Sequence, residues 1–187
     1  MNLNFYRGNL EKAGVVFDSG LTEKEVANTE IFYDFKFPPD YKEFLMFALP
    51  VSNSWMNWRE FESEQIKSMF NWIYEGIYFD IEHNVFWLED WGRKPEDLQE
   101  ALSIAKEKID EVPKLIPING HRYIPETPHE RNNPVFSVYQ TDIIYYGNNL
   151  WNYIENEYYY YFNKPSYQLN EPIKKIEFWS LFAEDLI

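Results

Sequence analysis

None of the 187 residues is a cysteine, which removes disulfide staples, thiolate metal ligands and a thiol nucleophile. Lysine and arginine are few, 17 against 31 acids, and the net charge is −14. A chain poor in clustered cations cannot neutralise a phosphate backbone, so nucleic acid is not expected as a partner. No apolar run approaches the roughly 20 residues that span a bilayer, so no membrane partner is expected. The opening MNLNFYRGNLEKAG has no apolar stretch of the kind a secretory leader carries, and the expected location is cytoplasmic. Also missing are a phosphate-cradling glycine loop, an H-E-x-x-H pair and a G-x-S-x-G turn.

What the chain does have is rings: 20% of its residues are aromatic. The strongest strand signals lie between Leu115 and Gly147. Asn119-Gly120 between two apolar-rich runs predicts a hairpin, because such turns need positive φ. Pro117 cannot donate to a ladder and places its strand at an edge or bulge. Val135 to Tyr139 and Asp142 to Tyr146 are rich in β-branched and aromatic residues, with Gln140-Thr141 as the turn between them. Apolar residues on both faces, with Ser137 the polar exception, predict strands covered on both sides.

Helices flank this block. Thr22 and Glu25 form a capping box for a short helix to about Thr29, and Tyr33 to Phe37 is expected to be extended ahead of Pro38. Pro39 opens a helix with Tyr41, Phe44, Leu45 and Ala48 on one stripe, stopped by Pro50. Trp55 to Phe61 is expected to be a strand. Ser63 caps a helix with the stripe Ile66, Met69, Phe70 and Ile73, for which Gly76 is the expected stop. Ile77 to Trp91 is expected to mix extended pieces with turns. Pro95 to Asp110 is a further helix, and Asn149 caps one bearing Leu150, Tyr153, Ile154 and Tyr158. Tyr158 to Tyr161 are expected to straddle its end. A linker follows from Pro165 to Glu171, then an amphipathic helix from Ile176 to Leu186. Residues 1–20 show little periodicity and are expected to form a loosely attached arm. At this length the chain is one α+β domain with a single substantial core.

Candidate chemistry is thin. His121, Glu126, His129 and Glu130 crowd one stretch, and a metal-dependent hydrolase using His121, His129 and Glu130 is one alternative. Their loop positions lack metal-ligand spacing, so no metal, cofactor or catalytic residue is expected. Ser137, His121 and Asp142 are the residue types of a triad, but a mid-strand serine lacks the strained turn a nucleophile needs. A longer absence says more. From Asn132 to Asn163 there is no lysine or arginine, while Asp142, Glu155 and Glu157 are negative. The same span holds Tyr139, Tyr145, Tyr146, Trp151, Tyr153 and Tyr158 to Tyr161. Rings among unbalanced acids fit an interface for a basic protein, since Tyr and Trp anchor and charge steers. Asp142, Trp151, Glu155, Glu157, Tyr158, Tyr159, Tyr160 and Tyr161 are the expected contact residues.

The segments FKFPPDYKEFL (35–45), VFWLEDWG (85–92), PKLIPINGHRYIPETPHERNNPVFSVYQTDIIYYGNNLWNYIENEY (113–158) and IEFWSLF (176–182) follow one another in an order that resembles the SUKH superfamily. That superfamily includes fungal regulators of cell-wall glucan synthesis and bacterial immunity proteins. Where the family often has a glycine-rich turn after the first core helix, this chain has LPVSNSW. The resemblance covers roughly residues 20–187. It implies a mostly antiparallel central sheet packed by helices, no catalytic residues and no cofactor. It also implies a binding role, commonly neutralisation of a cognate toxin, often a nuclease. A regulatory scaffold in cell-envelope metabolism is the alternative it leaves open.

Overall fold

The computed structural model describes residues 1–52, 54–170 and 172–184. The elements, in chain order, are α1 (Leu3–Lys12), β1 (Phe17–Ser19), α2 (Glu23–Tyr33), α3 (Pro39–Phe47), β2 (Ala48–Pro50), α4 (Glu64–His83), α5 (Leu98–Asp110), β3 (Leu115–Asn119), β4 (Arg122–Pro125), β5 (Val135–Tyr139), β6 (Asp142–Gly147), α6 (Leu150–Glu157) and α7 (Trp179–Ala183). Strands β3 to β6 form an antiparallel meander in sequence order, and β1 pairs with β2 in a separate two-stranded sheet. The class is α+β, with a central antiparallel sheet packed by helices.

The meander divides two cores. On one face Ile116, Ile118, Ile124 and Val135 pack with Phe37, Tyr41, Phe44, Leu45, Trp55, Trp58 and Trp151. On the other, Leu115, Tyr123, Phe136, Val138 and Ile143 pack with Ile73 and Ile77 of α4, Ala101 and Ala105 of α5, and Trp179 and Phe182 of α7. Period-two alternation sends neighbouring strand residues to opposite cores, as with Tyr123 and Ile124. Coverage is not complete, however. Tyr139 is 55% exposed and Ile144 47%, so the face of β5–β6 bearing these residues opens to solvent, contrary to the two-sided burial expected for these strands.

Several boundaries differ from the sequence expectation. Residues 1–20 are no loose arm: α1 buries Tyr6 and Leu10 in the first core, and β1 pairs with β2. Asn2 caps α1 by accepting from the Phe5 N–H, and a one-face helix of ten residues shows little periodicity until its partner is known. The Thr22–Glu25 capping box is present, but its helix runs on to Tyr33. Residues 35–38 then lead without helix into α3. Ala48 leaves the expected stripe to begin β2. Residues Trp58–Glu60 form a 3-10 turn rather than a strand, and Trp55 alone bridges to Asn119.

The largest difference is α4. It passes straight through Gly76 and ends at His83, taking residues 77–83 from the expected extended segment. Gly76 is there for closeness, not for termination: a Cβ on it would lie 2.8 Å from the Gln140 Cα. Helix α5 starts at Leu98, because the Asp97 side chain caps it by accepting from the Glu100 N–H. The β3–β4 turn is Gly120-His121, one residue later than expected, with Asn119 paired to Arg122 and a bulge after Pro117. Gly120 supplies the positive φ, +52°. The Gln140-Thr141 turn and the Asn149 cap are as expected. Tyr158 to Tyr161 lie beyond the end of α6, and the last helix is α7, shorter than 176–186; Leu186 and Glu171 lie outside the described residues.

Candidate functional site

The expected contact residues do not form one uniform surface. Trp151 is 5% exposed, its ring tilted against Tyr6 at 4.8 Å and edge to face with Phe44 at 6.0 Å. It is core, because the α1 that was expected to be loose covers it. Tyr158 is half-buried, its hydroxyl accepting from Trp55 Nε1 at 2.9 Å and Asn119 Nδ2 at 3.4 Å. Tyr159, Tyr160 and Tyr161 are exposed, Tyr160 most of all at 76%. They sit on a turn beyond α6, held by the buried Phe162 against Phe5 and Tyr6.

The acids behave differently from their sequence context. Glu155 pairs with Lys164 at 3.1 Å and accepts from the Tyr6 hydroxyl at 2.9 Å. Burial, then the Glu155 carboxylate, push the Tyr6 phenol well above its ordinary range. Glu157 pairs with Arg122 at 3.3 Å. Arg122 also donates to Ser137 Oγ at 2.9 Å and lies 3.7 Å over the Tyr146 ring. Two cations from outside the lysine-free span therefore fold back onto its glutamates, so the imbalance along the chain is not an imbalance on this surface. Asp142 alone of the three acids is exposed and without an ion pair among the described residues.

The histidines do not converge. His121 is in the β3–β4 turn, and His129 lies beyond the far end of β4, a four-residue strand that spans about 13 Å. Glu130 is paired with Lys174. Partial burial, then the Arg122 charge, lower the His121 pKa, with Glu157 opposing. No group of three or more histidines and acids among the described residues is placed to hold a metal ion. Ser137 Oγ is engaged by Arg122, so the sequence's Ser–His–Asp candidates are not brought into a relay.

A feature that sequence inspection missed lies where the β5–β6 turn meets α4. Trp72, Glu75, Gly76 and Phe79 on α4 face Tyr139 and Gln140 across a cleft of about 150 Å³. Their spacing, i, i+3, i+4 and i+7, is one helix face. Trp72 Nε1 donates to the Val138 carbonyl at 3.0 Å, and the Trp72 and Tyr139 rings meet edge to face at 5.9 Å. The buried Asp80 carboxylate accepts from Thr141 N–H at 2.8 Å, Thr141 Oγ1 at 2.7 Å and Asn84 Nδ2 at 2.5 Å. The turn is thus fastened to the helix while Phe79, 44% exposed, and Tyr139 stay open. The stripe was legible, but assigning Gly76 as a helix stop cut it in two.

Comparison of the chain with protein-family models, with curated proteins and with solved structures finds no match.

Proposed function

We propose that this chain is a non-catalytic protein-binding domain for a basic protein, and that it acts as an immunity protein neutralising a toxin domain, as the SUKH-like order of its segments implies. The observation that carries the binding role is the set of solvent-facing rings, Tyr139, Phe79, Tyr159, Tyr160, Tyr161 and Tyr167, on a body of net charge −14. Rings of this kind contribute large contact area with few torsions to freeze. A strongly negative body raises the encounter rate with a cationic partner and disfavours anionic ones. A nuclease, whose groove is basic to hold phosphates, is a partner of matching charge.

The contact set is revised from the sequence expectation. Tyr159, Tyr160, Tyr161 and Asp142 remain available. Trp151, Tyr158, Glu155 and Glu157 serve the fold instead. The test starts from the genes that flank this one: a toxin-like basic domain encoded there is co-expressed with this chain, and flanking genes without such a domain count against the immunity role. Rescue of growth together with a stable stoichiometric complex is expected; growth arrest unaffected by the chain overturns the immunity role.

A further inference from the structure

The cleft between α4 and the β5–β6 turn has walls and a rim of different chemistry. Trp72, Phe79 and Tyr139 are the walls. The exposed Glu75 lines it, and Asp142 pairs across the hairpin from Tyr139. Glu82 continues the same helix face beyond Phe79, beside His83, whose ring lies 4.6 Å from Phe79. No lysine or arginine lines the cleft, and neither Glu75 nor Asp142 has an ion pair among the described residues. This contrasts with Glu155 and Glu157, which carry their own cations. Lys106 borders Glu75 in the adjoining hollow but is bonded to Asp110, so Glu75 and Asp142 keep unpaired charge where the rings are exposed.

The cleft is also pinned at its base. A glycine at position 76 lets the Gln140 backbone sit against the helix. Asp80, 3% exposed, holds the turn through two bonds to Thr141. Trp72 is fixed through its indole N–H. A pocket that is already formed does not spend ordering entropy when it is filled. At about 150 Å³ it is smaller than the roughly 300 Å³ at which small-molecule pockets begin, and its scale is that of one long side chain.

The geometry points to this cleft as the seat for an arginine side chain presented by a basic protein partner, the aliphatic stem and guanidinium lying between Phe79, Trp72 and Tyr139 and the charge meeting Glu75 and Asp142. Arginine fits both halves of the site, since its planar cation stacks on rings and forks onto carboxylates. A buried arginine in a ring-walled pocket is a common energetic centre of interfaces. The assignment rests on the protein-binding role proposed above and gives that role a location.

The probe is the tripeptide acetyl-Gly-Arg-Gly-amide, with the citrulline analogue as its uncharged isostere, titrated into the isotopically labelled full chain by NMR. The Trp72 indole N–H signal is expected to shift with the arginine peptide and not with citrulline. Phe79→Ala and Glu75→Gln, both at exposed positions, are each expected to weaken binding about fivefold while the rest of the amide spectrum stays in place. Shifts spread over the acidic surface without preference for Trp72, or an affinity unchanged by Phe79→Ala, overturn the assignment. So does a Trp72 signal that moves on dilution alone, which makes a second copy of the chain the occupant. A complex with the toxic domain that leaves Trp72 unmoved sinks the cleft and spares the immunity role. A cleft that takes the peptide on a chain that fails to rescue growth does the reverse.

Discussion

Gly76 and Glu157 show how the same residue type takes its meaning from what the fold places beside it. Gly76 has no Cβ because the Gln140 backbone occupies that space. Gly76→Ala keeps a good helix former yet forces the hairpin turn off the helix, and a loss of about 1–3 kcal/mol in urea unfolding is expected. A stabilisation, as helix propensity alone requires, would show that the turn gives way without cost. Glu157 is the counter-charge of Arg122, whose side chain is only 13% exposed. Glu157→Lys sets two cations against each other next to the Tyr146 ring, and a loss of about 1–2 kcal/mol is expected, between the values for exposed and buried pairs. Thermal unfolding at low and high salt checks it, the difference from the parent shrinking as salt screens the repulsion.

At the scale of the element, the N-terminus of α2 couples charge to helix formation. Glu25 accepts from the Thr22 backbone N–H at 2.8 Å and from Arg59 Nε at 2.8 Å. The backbone bond first, then the bond from Arg59, hold its carboxyl down at about 2. A depressed carboxyl contributes stability that is complete above its ordinary value of 4.5. That contribution is lost as pH falls from there towards 2. Glu25→Gln is expected to flatten this part of the acid limb and to cost about 1 kcal/mol at neutral pH, as for a lost cap. Urea midpoints measured at pH 7, 4.5 and 3 decide it: a gap from the parent that does not narrow on acidification refutes the linkage. Arg59 also reaches Asp18 at 2.6 Å and the Ser19 carbonyl at 2.9 Å, so the same box ties α2 to β1, and weakening it loosens the N-terminal segment as well.

At the scale of the molecule, a net charge of −14 acts through its field. Association with a basic partner is expected to slow about tenfold between about 0.05 M and about 0.5 M salt, with dissociation changing far less. Stopped-flow association rates test this, and a rate indifferent to salt removes steering from the proposed role. Helices with a strong cap or an apolar stripe were legible from residues alone, as were the capping box at Thr22, the Asn149 cap, the Gln140-Thr141 turn and the α+β class. These depend on neighbours within a few positions of each other. Two misplacements are local, the start of α5 at the Asp97 cap and the one-residue shift of the β3–β4 turn; the larger ones depend on distant residues. α1 belongs to the core because Trp151 and Phe162 meet it, and α4 outruns Gly76 because a hairpin 60-odd residues later needs the gap (Gly76 against Gln140). Composition and local pattern by themselves determined an acidic, aromatic-rich α+β chain with two hairpins in its central stretch, and the structure joins them into one four-stranded meander. Only tertiary structure decided which rings face water and which acids keep their charge unpaired, because burial and ion pairing are set by residues that meet in space from opposite ends of the chain.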